Sequence, residues 1–227
     1  MAALAAPPLD ATQGIPAALE EDWRKQDGIG TPRRPATFAA AIELTLDRGD
    51  RLIRDLQAEG VLRALLAGVR SELDAVAPGR PLLVKIAPDL ADAGIDAAVD
   101  AALEARLDGL ICTNTTIGRG GLSYDAQWVA ERGAGGLSGS PVRARSTAVL
   151  ARVARRLGGR LPIIGVGGVD SAAAAWEKIG HGASLVQVYT GLVMQGPWLV
   201  RTIVDGLVER LDRHRLGSIA EAVGRAM

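Results

Sequence analysis

The chain is predicted to be an α/β protein with a parallel sheet, laid out as part of a (β/α)8 barrel. Three observations predict this. Four short apolar stretches, Leu82 to Lys85, Leu110 to Asn114, Ile163 to Gly168 and Leu185 to Thr190, recur with helix-like segments between them. That alternation implies parallel strands joined by crossover helices. The stretches are nearly all apolar, as expected of strands covered on both faces. Each also ends in a polar or glycine-rich tip: Lys-Ile-Ala-Pro, Thr-Asn-Thr-Thr, Gly-Val-Gly-Gly and Tyr-Thr-Gly. In such barrels ligands sit at the C-terminal strand ends. Periodicity alone leaves an open doubly wound sheet as the alternative.

The chain has 227 residues, long enough for one domain with a real core. A complete barrel usually takes about 250 residues, and here the strand repeat begins only near Leu82. The expectation is therefore a partial barrel with about four recognisable strands. Residues 1 to about 36 are rich in Ala, Pro and Arg and are punctuated by Pro7, Pro8, Pro16, Pro32 and Pro35. They are expected to be irregular, with a short helix near Ala17 to Lys25. Ala36 to Asp47 is read as a helix on Phe38, Ile42, Leu44 and Leu46, broken by Gly49-Asp50. Arg51 to Val76 is a stronger amphipathic helix region, because Leu52, Leu56, Val61, Leu62, Leu65, Leu66, Val69 and Leu73 recur at threes and fours. Gly60 is expected to divide it.

From Pro81 the order becomes regular. Strand Leu82 to Ile86 precedes helix Asp92 to Arg106, and strand Gly109 to Thr113 leads into a glycine-rich stretch, Gly118 to Gly139. Helix Ala144 to Leu157, strand Pro162 to Val166 and helix Ala172 to Ile179 follow. Asp170-Ser171 caps the last of these. The final strand, Ser184 to Tyr189, leads to helix Trp198 to Leu211, and the tail Ser218 to Ala226 is read as helical.

Basic and acidic residues balance at 26 each, which gives no electrostatic case for nucleic acid or acidic lipid. The single cysteine, Cys112, excludes an internal disulfide and a cysteine-rich metal site and fits a cytosolic protein. There are no histidines at metal-binding spacing and no Ser-His-Asp signature, so no metal is expected. Met1 to Pro8 lacks the basic n-region and long apolar run of a signal peptide. No stretch reaches the roughly 18 apolar residues of a membrane span.

Gly165-Val166-Gly167-Gly168 directly follows a strand. Glycines there let the backbone approach a phosphate, or simply satisfy the dihedrals of a tight turn. The spacing is not a dinucleotide fingerprint. Tyr189-Thr190-Gly191 at the next strand end strengthens the phosphate reading, since barrels build phosphate sites from the loops after their last two strands. Lys85 closes an apolar strand, where its charge is costly unless it meets a ligand, a partner or solvent. Its place favours a cation that stabilises negative charge developing on a ligand. Thr113-Asn114-Thr115-Thr116 offers amide and hydroxyl groups for a polar planar ligand, or a capped turn. Cys112 reads as a small buried residue, His181 as a helix C-cap and His214 as solvated.

Taken together, Val84-Lys85-Ile86-Ala87-Pro88-Asp89-Leu90, Thr113-Asn114-Thr115-Thr116, Gly135-Gly136-Leu137-Ser138-Gly139, Ile163 to Gly168 and Gly182 to Thr190 closely resemble class 2, quinone-dependent dihydroorotate dehydrogenase. Arg54-Asp55-Leu56-Gln57 and Ile219 to Gly224 match in order as well. The resemblance divides the chain into an unmatched, largely irregular segment, 1–53, and the C-terminal part of an FMN-binding barrel, 54–227. It implies that Lys85 and Thr113 contact FMN, that Gly139, Gly168, Tyr189 and Thr190 hold its ribityl-phosphate end, and that Asn114 and Thr115 touch the orotate ring. The implied reaction oxidises dihydroorotate to orotate, with a serine base removing a proton and a membrane quinone accepting the electrons. The implied location is cytoplasmic, peripheral to the inner membrane.

One departure stands out. Where the family carries an Asn-x-Ser-Ser-Pro-Asn-Thr stretch that supplies the serine base, this chain reads Leu44-Thr45-Leu46-Asp47-Arg48-Gly49-Asp50-Arg51-Leu52-Ile53. No residue is assigned as catalytic base. A frameshift, a mis-called start or a fusion is the expectation for residues 1–53. Two rivals to the family's activity follow: an inactive half barrel that binds FMN or phosphate, with room for self-association of two halves, and a non-functional fragment.

Overall fold

The structure is a computed structural model that describes residues 42–45, 59–133 and 135–226, all within one compact unit, Ala39–Met227. In chain order the elements are β1 (Ile42–Thr45), α1 (Glu59–Val76), β2 (Leu82–Ile86), α2 (Asp92–Glu104), β3 (Gly109–Cys112), α3 (Ala126–Glu131), a 3-10 turn (Ser140–Val142), α4 (Arg143–Leu157), β4 (Ile163–Val166), α5 (Ala172–Gly180), β5 (Leu185–Gln187), α6 (Thr190–Gln195), α7 (Trp198–His214) and α8 (Ile219–Ala222).

The five strands form one sheet in the order β1-β2-β3-β4-β5, and every neighbouring pair is parallel. A doubly wound sheet reverses its strand order at a switch point; this one never does. Alternate residues Leu82, Val84 and Ile86 of β2, Leu110 and Cys112 of β3, and Ile163 of β4 share one core with α1 (Leu62, Leu66), α2 (Ile95, Val99) and α4 (Val149, Leu150, Val153). The helices therefore cover a single face. Sequential parallel strands with helices on one face are the arrangement of part of a (β/α)8 barrel.

Smaller clusters complete the cover beyond β4. Val169, Ala175, Leu199 and Ile203 seat α7 on α5, and Ile179, Leu216 and Ala222 bring α8 against it. Ion pairs line the seam between α2 and α4: Arg152 takes Asp96 bidentately at 2.8 and 2.6 Å and Asp92 at 2.7 Å, while Arg156 grips Asp100. The caps follow the sequence. Ser171 Oγ accepts from Ala174 N at 3.2 Å, and the His181 ring meets the Glu177 carbonyl at 2.8 Å.

Several expectations are corrected. The helix expected over Ala36 to Asp47 is a strand at Ile42–Thr45, inside the segment expected to be largely irregular. Ile42, Leu44 and Leu46 alternate with Glu43, Thr45 and Asp47, a period of two that favours a strand, and a parallel ladder onto β2 takes it up. Among the described residues the sheet therefore adds β1 to the four strands recognised from the sequence. The glycine-rich stretch contains α3, capped by the Asp125 carboxylate. A further helix, α6, separates β5 from α7. The helical tail is confined to Ile219–Ala222. His214 is exposed, as expected, but its ring stacks on Trp176 with centroids 5.3 Å apart. Arg54 to Gln57, the Gly49-Asp50 break and the short helix near Ala17 lie outside the described residues, whereas Gly60, expected to divide the helix region, lies in the first turn of α1.

Candidate functional site

The strand register sets the site. Lys85 lies opposite Ile111, Cys112 opposite Gly165, and Val166 opposite Gln187, so the C-terminal tips of β2 to β5 stand side by side. They border a cavity of about 590 Å³. All eight residues singled out from the sequence line it: Lys85, Thr113, Asn114, Thr115, Gly139, Gly168, Tyr189 and Thr190.

Each arrives there for a local reason. Lys85 sits between Val84 and Ile86, which are buried in the helix-packed core, so strand alternation aims it at the opposite, inner face. Past β3, Thr113 is 2% exposed; its N–H donates to the Val166 carbonyl at 3.2 Å and its hydroxyl to the Asn114 carbonyl at 2.9 Å. The Cys112–Thr113 peptide is cis. Asn114 N–H donates to the Ile86 carbonyl at 2.9 Å, and its Oδ1 accepts from Thr115 N–H at 2.9 Å. These bonds tie the β3 tip to both neighbouring strands.

A two-bond bridge between Thr116 and Leu137, at 3.0 and 2.8 Å, turns the glycine-rich stretch back toward the sheet. It delivers Ser138 and Gly139 to the β5 tip, where Thr190 Oγ1 donates to Ser138 Oγ at 2.9 Å. Gly168 (φ +71°) comes so close to α4 that a Cβ there would lie 2.4 Å from the Cβ of Arg143. Its positive φ also meets the tight-turn alternative read for this glycine run. The loops after β4 and β5 and the start of α4 thus meet at one end of the cavity, as in a barrel phosphate site.

Cys112 is fully buried, and burial pushes its thiol up to about 12. It is a packing residue and not a thiolate nucleophile. Of residues 44–53, where the family's serine motif would fall, the structure describes Leu44 and Thr45, and Thr45 lies in register with Lys85. Among the described residues no group of three or more His, Cys, Asp or Glu is placed to hold a metal, and no helix is long and apolar enough to cross a membrane.

Sequence reasoning missed Ser138, Asp170 and Gln187 in the lining. Gln187 Oε1 is buried without a hydrogen-bond partner, an acceptor available to a ligand donor. Its signal was present in the alternation Leu185, Gln187, which places both side chains on the inner face. Asp170 pairs with Arg143 at 3.6 Å.

A sequence model of dihydroorotate dehydrogenase matches residues 50–211. The chain belongs to the dihydroorotate dehydrogenase family. It is 53% identical over 173 residues to the dihydroorotate dehydrogenase (quinone) of Thermobifida fusca, covering 76% of this chain and 46% of that one. It is 49% identical over 178 residues to the enzyme of the same name from Synechococcus elongatus, covering 77% of this chain and 46% of that one. Ligand-free dihydroorotate dehydrogenase from Eimeria tenella superposes with a TM-score of 0.74 at 32% identity, over 82% of this chain and 55% of that one. The same enzyme in complex with ferulenol superposes with a TM-score of 0.71. The chain spans about half the length of the curated relatives it matches.

Proposed function

We propose that this chain, from residue 54 onward, is the FMN-binding part of a quinone-dependent dihydroorotate dehydrogenase acting in pyrimidine biosynthesis. The observation that carries this reading is the convergence of eight dispersed residues on one cavity at the strand ends of a family member. The donor set fits FMN. Gly139 and Gly168 let the loop backbone close against Thr190 and Arg143, because a Cβ at either position would run into those side chains. The buried Gln187 Oε1 fits a ribityl hydroxyl or ring N–H.

When bound, FMN supplies the two-electron chemistry that connects dihydroorotate to quinone. The chain's own residues bind and orient. Lys85 and Thr113, both in the cavity lining, would hold the flavin, and the Lys85 ammonium would stabilise negative charge on it. Asn114 and Thr115 would offer amide and hydroxyl groups to the orotate ring, and Tyr189 and Thr190 would hold the ribityl-phosphate end. No residue is assigned to remove the substrate proton; losing such a base typically costs about 100- to 10,000-fold in rate. A quinone acceptor places the reaction at the cytoplasmic face of the inner membrane.

The test is the visible spectrum of the purified chain after gel filtration with FMN, followed by anaerobic addition of dihydroorotate. Stoichiometric co-eluting flavin that bleaches supports the full reading. Flavin that co-elutes but stays oxidised restricts the chain to a catalytically inactive flavin-binding part, which its altered 44–53 segment favours. Flavin-free or aggregated protein overturns both and leaves a non-functional fragment.

A further inference from the structure

The largest fully buried side chain among the described residues is charged. Lys178, on α5, is 0% exposed. Its ammonium donates to the Arg143 carbonyl at 3.3 Å, to Thr147 Oγ1 at 2.8 Å and to Ser146 Oγ. All three donors are used, yet among the described residues no carboxylate lies within ion-pair distance of it. Space for its stem is made by Gly165 of β4, where a Cβ would lie 3.1 Å from that of Lys178.

The three acceptors belong to the first turn of α4, and that turn forms the back of the anion end of the cavity. Ser146 Oγ also lies 3.2 Å from the Gly167 carbonyl, in the turn that lines the cavity. One hydroxyl therefore separates the ammonium from the cavity wall. Buried cations are costly without an opposite charge, and burial pulls the Lys178 ammonium down to about 8, with the charge of Glu177 opposing that fall. The titratable groups facing it are Glu177 on its own helix, Cys112 on β3 and Arg143 on α4. Arg143 is shared with Asp170 at 3.6 Å and Glu177 at 3.7 Å.

We propose that Lys178 is a positioning residue that sets the cavity's preference for a ligand ending in phosphate. It ties the first turn of α4 to the Gly167–Gly168 turn and holds a positive charge directly behind them. The inference rests on the flavin reading and adds to it the origin of discrimination between FMN and riboflavin, which differ only in the phosphate. A dianionic phosphate in front of Lys178 stabilises its charged form, so phosphate-dependent affinity is lost as pH rises and the free-state ammonium deprotonates.

The test is fluorescence titration of the full chain with FMN and with riboflavin, for wild type and Lys178→Met. The expected result is an FMN affinity lowered about tenfold by Lys178→Met, as for loss of one charge-assisted interaction, with riboflavin affinity unchanged. Between pH 7.5 and 9.5 the wild-type FMN-to-riboflavin affinity ratio falls about tenfold by proton linkage, and this slope vanishes in the variant. Equal weakening of both flavins, or a wild-type ratio independent of pH, overturns the inference while leaving the flavin reading intact. If Lys178→Met does not fold, the wild-type pH dependence alone decides. Wild-type protein that binds neither flavin overturns the flavin reading itself.

Discussion

The two faces of the sheet differ in what holds them. On the helix-covered face Leu82, Val84, Ile86, Leu110 and Cys112 are completely buried, and α1, α2 and α4 interlock over them. On the inner face the same strands carry Lys85, Ile111, Val166 and Gln187, and exposure climbs from 3% at Ile111 to 60% at Leu185. One face is a packed core. The other is a binding surface whose apolar content decreases toward the strand tips and whose cover decreases toward β5. Stability and ligand affinity are therefore expected to respond to different residues, and substitutions can separate them.

The largest effect is expected from Leu150→Ala. This α4 side chain is 0% exposed between β3 and β4 and lies 2.9 Å from where a Gly165 Cβ would stand. The cost is about 3 kcal/mol, as for other fully buried leucines, measured by urea denaturation. Leu185→Ala makes the same chemical change on the inner face and is expected to cost under about 0.5 kcal/mol. Equal losses would mean that something packs on Leu185 in solution, and the contrast between the faces would fail.

The reverse contrast belongs to Lys85. Lys85→Met removes the one charge of β2 from the cavity. It is expected to lower FMN affinity about 30-fold, as for a lost hydrogen bond to a charged group, while the denaturation midpoint moves far less than in Leu150→Ala. A shift in the midpoint as large as that of Leu150→Ala would make Lys85 a structural residue.

Gly168 lies where both faces meet, so both readouts should move. Gly168→Ala forces a side chain into positive φ and against Arg143; the expected cost is about 2 kcal/mol of stability, together with weaker FMN binding. Gly121→Ala has a similar backbone (φ +76°) with nothing within 4 Å of the added Cβ. It should cost about 1 kcal/mol from strain alone and leave flavin affinity unchanged. Equal stability losses at the two glycines would remove the steric part of the argument.

The helix-covered face was the legible one. Four apolar runs fixed β2 to β5 within two residues, because the outward residues are buried under the helices and the inward ones, apart from Lys85 and Gln187, are apolar or glycine as well. The cavity lining was legible wherever strand tips carry polar residues, and all eight candidate residues converge there. What escaped depended on tertiary partners. β1 carries a strand-like alternation only over Ile42 to Asp47, too short to prevail over the helix reading of Ala36 to Asp47 until its ladder to β2 takes it up. Gln187 is marked only by its alternation with Leu185. Lys178 lies among Ala174, Ala175 and Ile179 on the buried side of α5. A lysine on an apolar helix stripe was a usable signal, but its meaning came only from the hydroxyls of α4, about thirty residues earlier in the chain.

The smallest expected effect concerns the outer rim of the helix-covered face. Hydrogen bonding from Arg152 holds the Asp96 carboxyl below its usual range, and Arg156 does the same for Asp100; partial burial opposes both. A folded-state value below the unfolded one means that these pairs stabilise the fold above the ordinary carboxylate range. That contribution is lost as pH falls through the lowered folded values, since protonation then takes place in the native state. The carboxylates are partly exposed, so solvent and salt screen the effect. Thermal melts of wild type and the Arg152→Ala/Arg156→Ala double variant should differ slightly at pH 7, differ less at high salt and converge only once pH has fallen through the lowered folded values. A difference at pH 7 that high salt leaves unchanged would assign these arginines a packing role through their aliphatic stems. In that case the α2–α4 seam would be held by the same apolar contacts as the core beneath it, with no separate electrostatic rim.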